Sequence, residues 1–491
     1  MHAVGAGQAS QPSSNYKEYS NVKRSDFAND FVFGVSSTAA QTEGATKSGG
    51  KGPSVWDQFI REFPAKISDK SNIEVATESY KLYKEDLLAL KNLGVDAYRF
   101  SLSWARILPD GTLSGGINRK GIKFYNKFID ELIKLGIQPF VTIFHFDSPE
   151  ALEHKYGGFL NRTIVEDFKN YAELCFKTFG DRVKNWVTIN EAPNIGKFGY
   201  CMGIAPPGRC SDRKNCPSGN SATEPYIAAH NLLLAHATAA KLYKNKYQAT
   251  QGGQIGLSLV GQYFEPYSDS LFDRNAAKRA MDFELGWLPV FTAQEKELVK
   301  GSFDFIGINY YTARYAKNIP INPKEPVISY LVDEHVNATV DKNGVLIGPN
   351  AGGSFFVFIY PPGLYKLLNF MGKHYGKNLT IYITENGVTE KKNDSIPMKK
   401  ALNDQFRIEF IQKHLHQLRR AINDGVINVK GYFVWSLLDD FEWIEGYGVG
   451  FGLYYVDRKN NLKRIPKKSV KWYHDFVNGD RKKTRNKNYS A

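Results

Sequence analysis

The chain has 491 residues, and 64 Lys and Arg against 50 Asp and Glu give it a net charge of +14. With 42% apolar, 14% aromatic and 23% charged residues it has an ordinary globular composition, which excludes a disordered, collagen-like or disulfide-dense chain. No run of about 18 apolar residues occurs, so no membrane span is encoded.

Residues 1–18 read as a disordered lead-in without the apolar core of a secretory signal. Residues 480–491 form a basic tail in which Arg481, Lys482, Lys483, Arg485 and Lys487 read as solvated charge, without the interleaved aromatics of a nucleic-acid surface. Asn161, Asn337, Asn378, Asn393 and Asn488 each open an Asn-x-Ser/Thr tripeptide, a mild pointer to a secretory route, vacuolar or extracellular. Cys210 and Cys216 share a polar loop where a local disulfide fits, whereas Cys175 falls in a helical pattern as a buried thiol. A homodimer stays open.

Between these ends, residues 19–479 read as one unit of alternating strands and helices. Apolar runs occupy Phe31–Ser37, Val95–Ser103, Gln138–Phe146, Trp186–Glu191, Gln254–Val260, Phe303–Asn309, Leu379–Glu385 and Val429–Ser436. Nearly continuous Val, Ile, Leu and Phe is the pattern of parallel strands buried on both faces. Helical spacing fills Arg119–Leu135, Ile164–Phe179, Tyr226–Tyr243 and Gln405–Ile422. Asn118 is placed to cap the first of these and Gly136 to close it. Eight such units predict an α/β fold, a single (β/α)8 TIM barrel with extended βα loops and its chemistry at the C-terminal strand ends.

Polar residues interrupt the apolar runs at those ends. Gln41 and Glu43 follow the first strand, Arg99 sits on the second and His145 ends the third. Asn190–Glu191 end the fourth, Asn309–Tyr311 the sixth and Glu385–Asn386 the seventh, while Trp435, Glu442 and Trp443 follow the eighth. Taken singly, each is more simply a loop or satisfied polar residue; together they converge on one mouth. Glu191 and Glu385 can flank a sugar there, one protonating the leaving oxygen and the other meeting the developing oxocarbenium ion. No metal or cofactor is expected: His414 and His416 point to different helix faces, and His230 and His236 are six apart.

Six stretches together resemble glycoside hydrolase family 1, especially its plant β-glucosidases. They are Phe33-Gly-Val-Ser-Ser-Thr-Ala-Ala-Gln41-Thr-Glu-Gly-Ala, Tyr98-Arg-Phe-Ser-Leu-Ser-Trp104, Thr188-Ile-Asn-Glu191, Asp304-Phe-Ile-Gly-Ile-Asn-Tyr-Tyr311, Ile383-Thr-Glu-Asn-Gly387 and Trp435-Ser-Leu-Leu-Asp-Asp-Phe-Glu-Trp443. The resemblance implies a retaining O-glycosidase acting on a small-molecule β-D-glucoside, with Glu191 as acid/base and Glu385 as nucleophile. It also implies that Arg99 and Tyr311 support the nucleophile. Gln41, His145, Asn190, Glu442 and Trp443 then bind sugar hydroxyls, and Trp435 forms the stacking platform. Phe356 and Phe451 fall on the aglycone side, and the Cys210–Cys216 loop is similar to the disulfide loop of plant members. The same residues serve two alternatives, a transglucosidase and a catalytically weak sugar-binding protein.

The sequence departs from the family pattern at several points. Phe146 stands where the family has Trp, Ala192 where it has Pro and Ala40 where it has Tyr; Phe356 replaces an aglycone-side Trp. After Gly286-Trp287 a segment with a Gly-Asp-Tyr-Pro motif is missing, a loss expected to uncover apolar surface on the barrel.

Overall fold

The apolar runs become eight barrel strands in a computed structural model that describes residues 19, 21–286, 291–322, 328–393 and 395–479. The strands are β1 (Val32–Ser36), β2 (Ala97–Ser101), β3 (Gln138–Phe144), β4 (Asn185–Asn190), β5 (Gln254–Val260), β6 (Phe305–Tyr310), β7 (Thr380–Asn386) and β8 (Asn428–Trp435). Each pairs in parallel with its sequence neighbours, and β8 closes on β1 through Val32↔Gly431 to Ser36↔Trp435. Nearly every strand residue is buried, which explains runs without polar alternation.

Among the described residues the long helices around the barrel are α1 (Ser79–Leu93), α2 (Arg119–Lys134), α3 (Thr163–Phe179), α4 (Glu224–Tyr243), α5 (Leu271–Gly286), α6 (Pro361–Tyr375), α7 (Gln405–Asn423) and α8 (Lys468–Asn478). Asn118 caps α2, its side chain accepting from the Lys120 amide at 3.1 Å. Gly136 follows at φ +73°, a conformation open to glycine at no steric cost. Ala97, Phe140, Val187, Phe305, Tyr382 and Phe433 pack together inside the barrel. This plug fills the interior below the polar residues of the C-terminal rim.

The junction at 287–290 lies outside the described residues, as do the lead-in 1–18 and the tail 480–491. The barrel closes across that junction nonetheless, with β5 and β6 paired from Gly256↔Phe305 to Val260↔Asn309. At the start of α5, Leu271 and Phe272 are exposed. Cys210 and Cys216 form a disulfide, and Cys175 is a buried free thiol. No helix among the described residues is long and apolar enough to cross a membrane.

Candidate active site

Two register shifts place the two glutamates. β4 slips against β5 between Val187 and Asn190, and β7 slips against β6 between Ile383 and Glu385. Such irregularities re-aim a side chain at the end of a strand. Glu191 then takes φ +44°, a left-handed conformation rare outside glycine, with its amide donating to the Ser258 carbonyl at 2.8 Å. Across the mouth, Glu385 pairs in register with Asn309 of β6.

The surroundings of the two carboxylates differ. Arg99, fully buried on β2, donates to Glu385 Oε1 at 2.5 Å, and the Tyr311 hydroxyl donates to Oε2 at 2.6 Å. Glu191 has only amides: Asn309 Nδ2 donates to its Oε1 at 2.7 Å and Asn194 Nδ2 to its Oε2 at 2.6 Å. Burial, reinforced by the charge of Glu385, pushes Glu191 up to about 8. Burial also raises Glu385, opposed by the Arg99 charge and by the bonds from Tyr311 and Arg99. A cation beside one carboxylate and only neutral donors beside the other favour the proton on Glu191 and the negative charge on Glu385.

Arg99 also donates to Asn190 Oδ1 at 2.6 Å, and Asn190 Nδ2 lies 3.1 Å from His145 Nε2. Burial and the Arg99 charge hold His145 well below its usual range, so its ring is neutral. That ring lies nearly parallel to Trp435, at 6.0 Å and 21°, and to Trp443, at 6.1 Å and 15°. The three flat groups form a wall onto which the C–H face of a sugar can stack. Gln41 is fully buried, and its Nε2 lies within hydrogen-bond distance of the Phe441 carbonyl and of Glu442 Oε2, at 2.8 and 3.2 Å.

A cavity of about 410 Å³ opens over these groups. His145, Asn190, Glu191, Tyr311, Glu385, Trp435, Glu442 and Trp443 line it, whereas Arg99 and Gln41 lie behind its wall. Phe356 and Phe451 line it too, in different ways. Phe356 is half-buried beside exposed Phe355, while Phe451 is buried against Trp435 and Val357. Phe146, at the family's Trp position, packs against Trp443 at 5.3 Å.

Two strand-end residues do not join the mouth. Glu43 accepts from Arg106 Nε at 2.6 Å and from the Tyr125 hydroxyl, so it braces the barrel wall. Asn386 is spent on the Tyr310 carbonyl and the Tyr432 hydroxyl, both at 2.6 Å. Conversely, Asn309 and Asn194 hold Glu191 and carry no role in the sequence reading. Their signals were the end of β6 and the i+3 spacing from Glu191.

Sugar cleavage is what this mouth is equipped for: one carboxylate backed by a cation and one held by amides alone open on the same cavity beside a stacking wall. The glycosyl hydrolase family 1 profile matches residues 23–288 and 284–482, two stretches that meet at the shortened junction. The chain belongs to that family. It is 51% identical over 480 residues to β-glucosidase 12 of Oryza sativa subsp. indica, spanning 93% of each chain. It is 48% identical to raucaffricine-O-β-D-glucosidase of Rauvolfia serpentina, covering 92% of this chain and 91% of the relative. The crystal structure of the rice Os3BGlu6 β-glucosidase superposes with a TM-score of 0.90 at 44% identity, covering 93% of this chain and 99% of that one. A mutant of the same rice enzyme is described in a covalent complex with Glc from GA4GE. The present chain is an O-glycosyl hydrolase of the β-glucosidase type.

Proposed function

We propose that the enzyme hydrolyses plant β-D-glucosides with aryl or alkyl aglycones by double displacement, Glu385 acting as nucleophile and Glu191 as acid/base. In the first step a Glu385 oxygen bonds to C1 as the C1–aglycone bond breaks, and the leaving oxygen takes the Glu191 proton. In the second, water attacks C1, its proton passes to Glu191, and the glucosyl ester breaks to free Glu385. One observation carries this reading: Asn309 donates to Glu191 at 2.7 Å and is the in-register neighbour of Glu385 on the next strand. Carboxylates of which one is held by the strand neighbour of the other fit the short spacing of retaining enzymes, about 5–5.5 Å, better than the wider gap of inverting ones.

In this reading Arg99 and Tyr311 keep Glu385 ionised and oriented. Gln41, His145, Asn190, Glu442 and Trp443 bind glucose hydroxyls over Trp435, and Phe356 and Phe451 face the aglycone. The covalent glucose in the rice relative supports the glucosyl-enzyme. Cys210–Cys216 and the exposed Asn161, Asn337, Asn378 and Asn393 support a secretory route. The test is turnover of p-nitrophenyl β-D-glucoside: the native enzyme releases nitrophenol and Glu385→Gln does not. Retained turnover in that variant overturns the assignment, and product analysis with added alcohol separates hydrolysis from transfer.

A further inference from the structure

The outer wall of the cavity is carried by a loop, residues 349–359, that is closed at its base. There Asn350 bridges antiparallel to Phe358, the Ala351 amide donates to the Val357 carbonyl at 3.0 Å, and the Ile359 amide donates to the Pro349 carbonyl at 2.9 Å. Asn350 Nδ2 donates to the Ser354 carbonyl at 3.1 Å and to the Val357 carbonyl at 3.3 Å. Val357 is buried against Trp435 and Phe451. Phe356, one residue earlier, is half-buried and lines the cavity.

A tie from outside the loop comes from Arg314, half-buried on the strand Ala313–Asn318 that follows β6. Its Nη2 donates to the Phe356 carbonyl at 2.7 Å, and its Nη1 donates at 2.8 Å to both the Thr312 hydroxyl and the Ala313 carbonyl. The Thr312 oxygen also accepts from the Phe358 amide at 3.0 Å, and its hydrogen is donated to the Phe358 carbonyl at 3.2 Å. The guanidinium lies over the Phe358 ring, 5.3 Å from its centroid. Arginine presents its donors in a rigid planar fork, so it joins strand and loop at once, which the single head of a lysine does not. Arg314 and Thr312 both line the cavity together with Phe356.

We propose that Arg314 is a positioning residue for aglycone selectivity: by holding the Phe356 carbonyl to the strand it presets the Phe356 ring as the outer wall. The glucose side does not depend on this tie, because Val357, which packs on Trp435, is held by the base of the loop. Without Arg314 the ring is ordered only as each aglycone binds, and that ordering weakens the recognition of aryl glucosides. The proposal rests on the reading that Phe356 faces the aglycone.

The test is a double-mutant cycle read as kcat/KM for p-nitrophenyl and for methyl β-D-glucoside. Arg314→Met should lower the aryl value by roughly 2- to 10-fold and leave the methyl value unchanged. In the Phe356→Ala background the same change should have no further effect, because the ring it presets is gone. Arg314→Lys keeps the charge and loses the fork, so its aryl value should stay low. A native aryl value in Arg314→Met or in Arg314→Lys overturns the proposal. So does an equal loss on both glucosides, or a full effect of Arg314→Met in the Phe356→Ala background. If Phe356→Ala alone leaves the aryl-to-methyl ratio at its native value, the reading of Phe356 as the aglycone wall fails, and the proposal falls with it.

Discussion

Asn309 donates to Glu191 at 2.7 Å and to Asn190 at 3.0 Å, and on β7 its register partner is Glu385. Its own oxygen is fixed by the Thr384 hydroxyl at 2.6 Å, so the amide cannot turn without breaking that bond. One side chain thus links Glu191 to the strand that carries Glu385. A donor to a carboxylate favours its charged form, so Asn309 opposes the burial that raises Glu191. Asn309→Ala should move the alkaline limb of kcat/KM to higher pH and lower kcat by roughly 10- to 100-fold through lost orientation. A pH–rate profile checks both.

Glu191 also makes a claim on stability. Its folded value of about 8 stands above the ordinary glutamate value of about 4.5, so the native state keeps a proton that the unfolded chain has released. Stability therefore falls as pH rises from about 4.5 to about 8. Glu191→Gln removes this cost and should stabilise the fold at pH 7 by up to about 3 kcal/mol, with no gain near pH 4. Denaturant unfolding at the two pH values measures it, and catalysis should fall in the same variant.

Arg99 and Glu385 form a buried ion pair, so removing the cation leaves an uncompensated charge. Arg99→Met should raise Glu385 and shift the acid limb of kcat/KM upward in pH. It should also lower stability by about 3 kcal/mol or more. Arg99 further holds Asn190, so sugar affinity should weaken along with kcat.

The two phenylalanines predict different outcomes. Phe356→Ala trims the outer wall and should raise KM for aryl glucosides by roughly 5- to 30-fold, the loss of about 1–2 kcal/mol of apolar contact, while sparing methyl glucoside. Phe451 lies against Trp435 and meets Tyr311 edge-on at 5.7 Å, so Phe451→Ala should impair every glucoside alike. Paired kinetics on the two substrates separates them.

Much of this was legible in the sequence because parallel strands buried on both faces write unbroken apolar runs. The polar residues that end those runs therefore stood out, and the motifs around Glu191 and Glu385 named their partners. Glu43 and Asn386 misled for the same reason. A strand-end polar residue looks alike whether it faces the mouth or turns back to a hydroxyl or guanidinium of the wall. Asn309 was visible as a position but not as a tether, because its role depends on a register shift between β6 and β7 that periodicity does not encode. The bond from Gln41 to Glu442 spans 401 residues of the chain. Local pattern holds no trace of that contact.

The central claim is that Glu385 carries the glucosyl group. Incubation with a 2-deoxy-2-fluoro-β-glucoside bearing a good leaving group, followed by peptide mass spectrometry, tests it most directly. A single fluoroglucosyl adduct is expected on the peptide containing Glu385, with activity lost in step with labelling. Inactivation with the adduct on another residue, or turnover with no adduct at all, would contradict it.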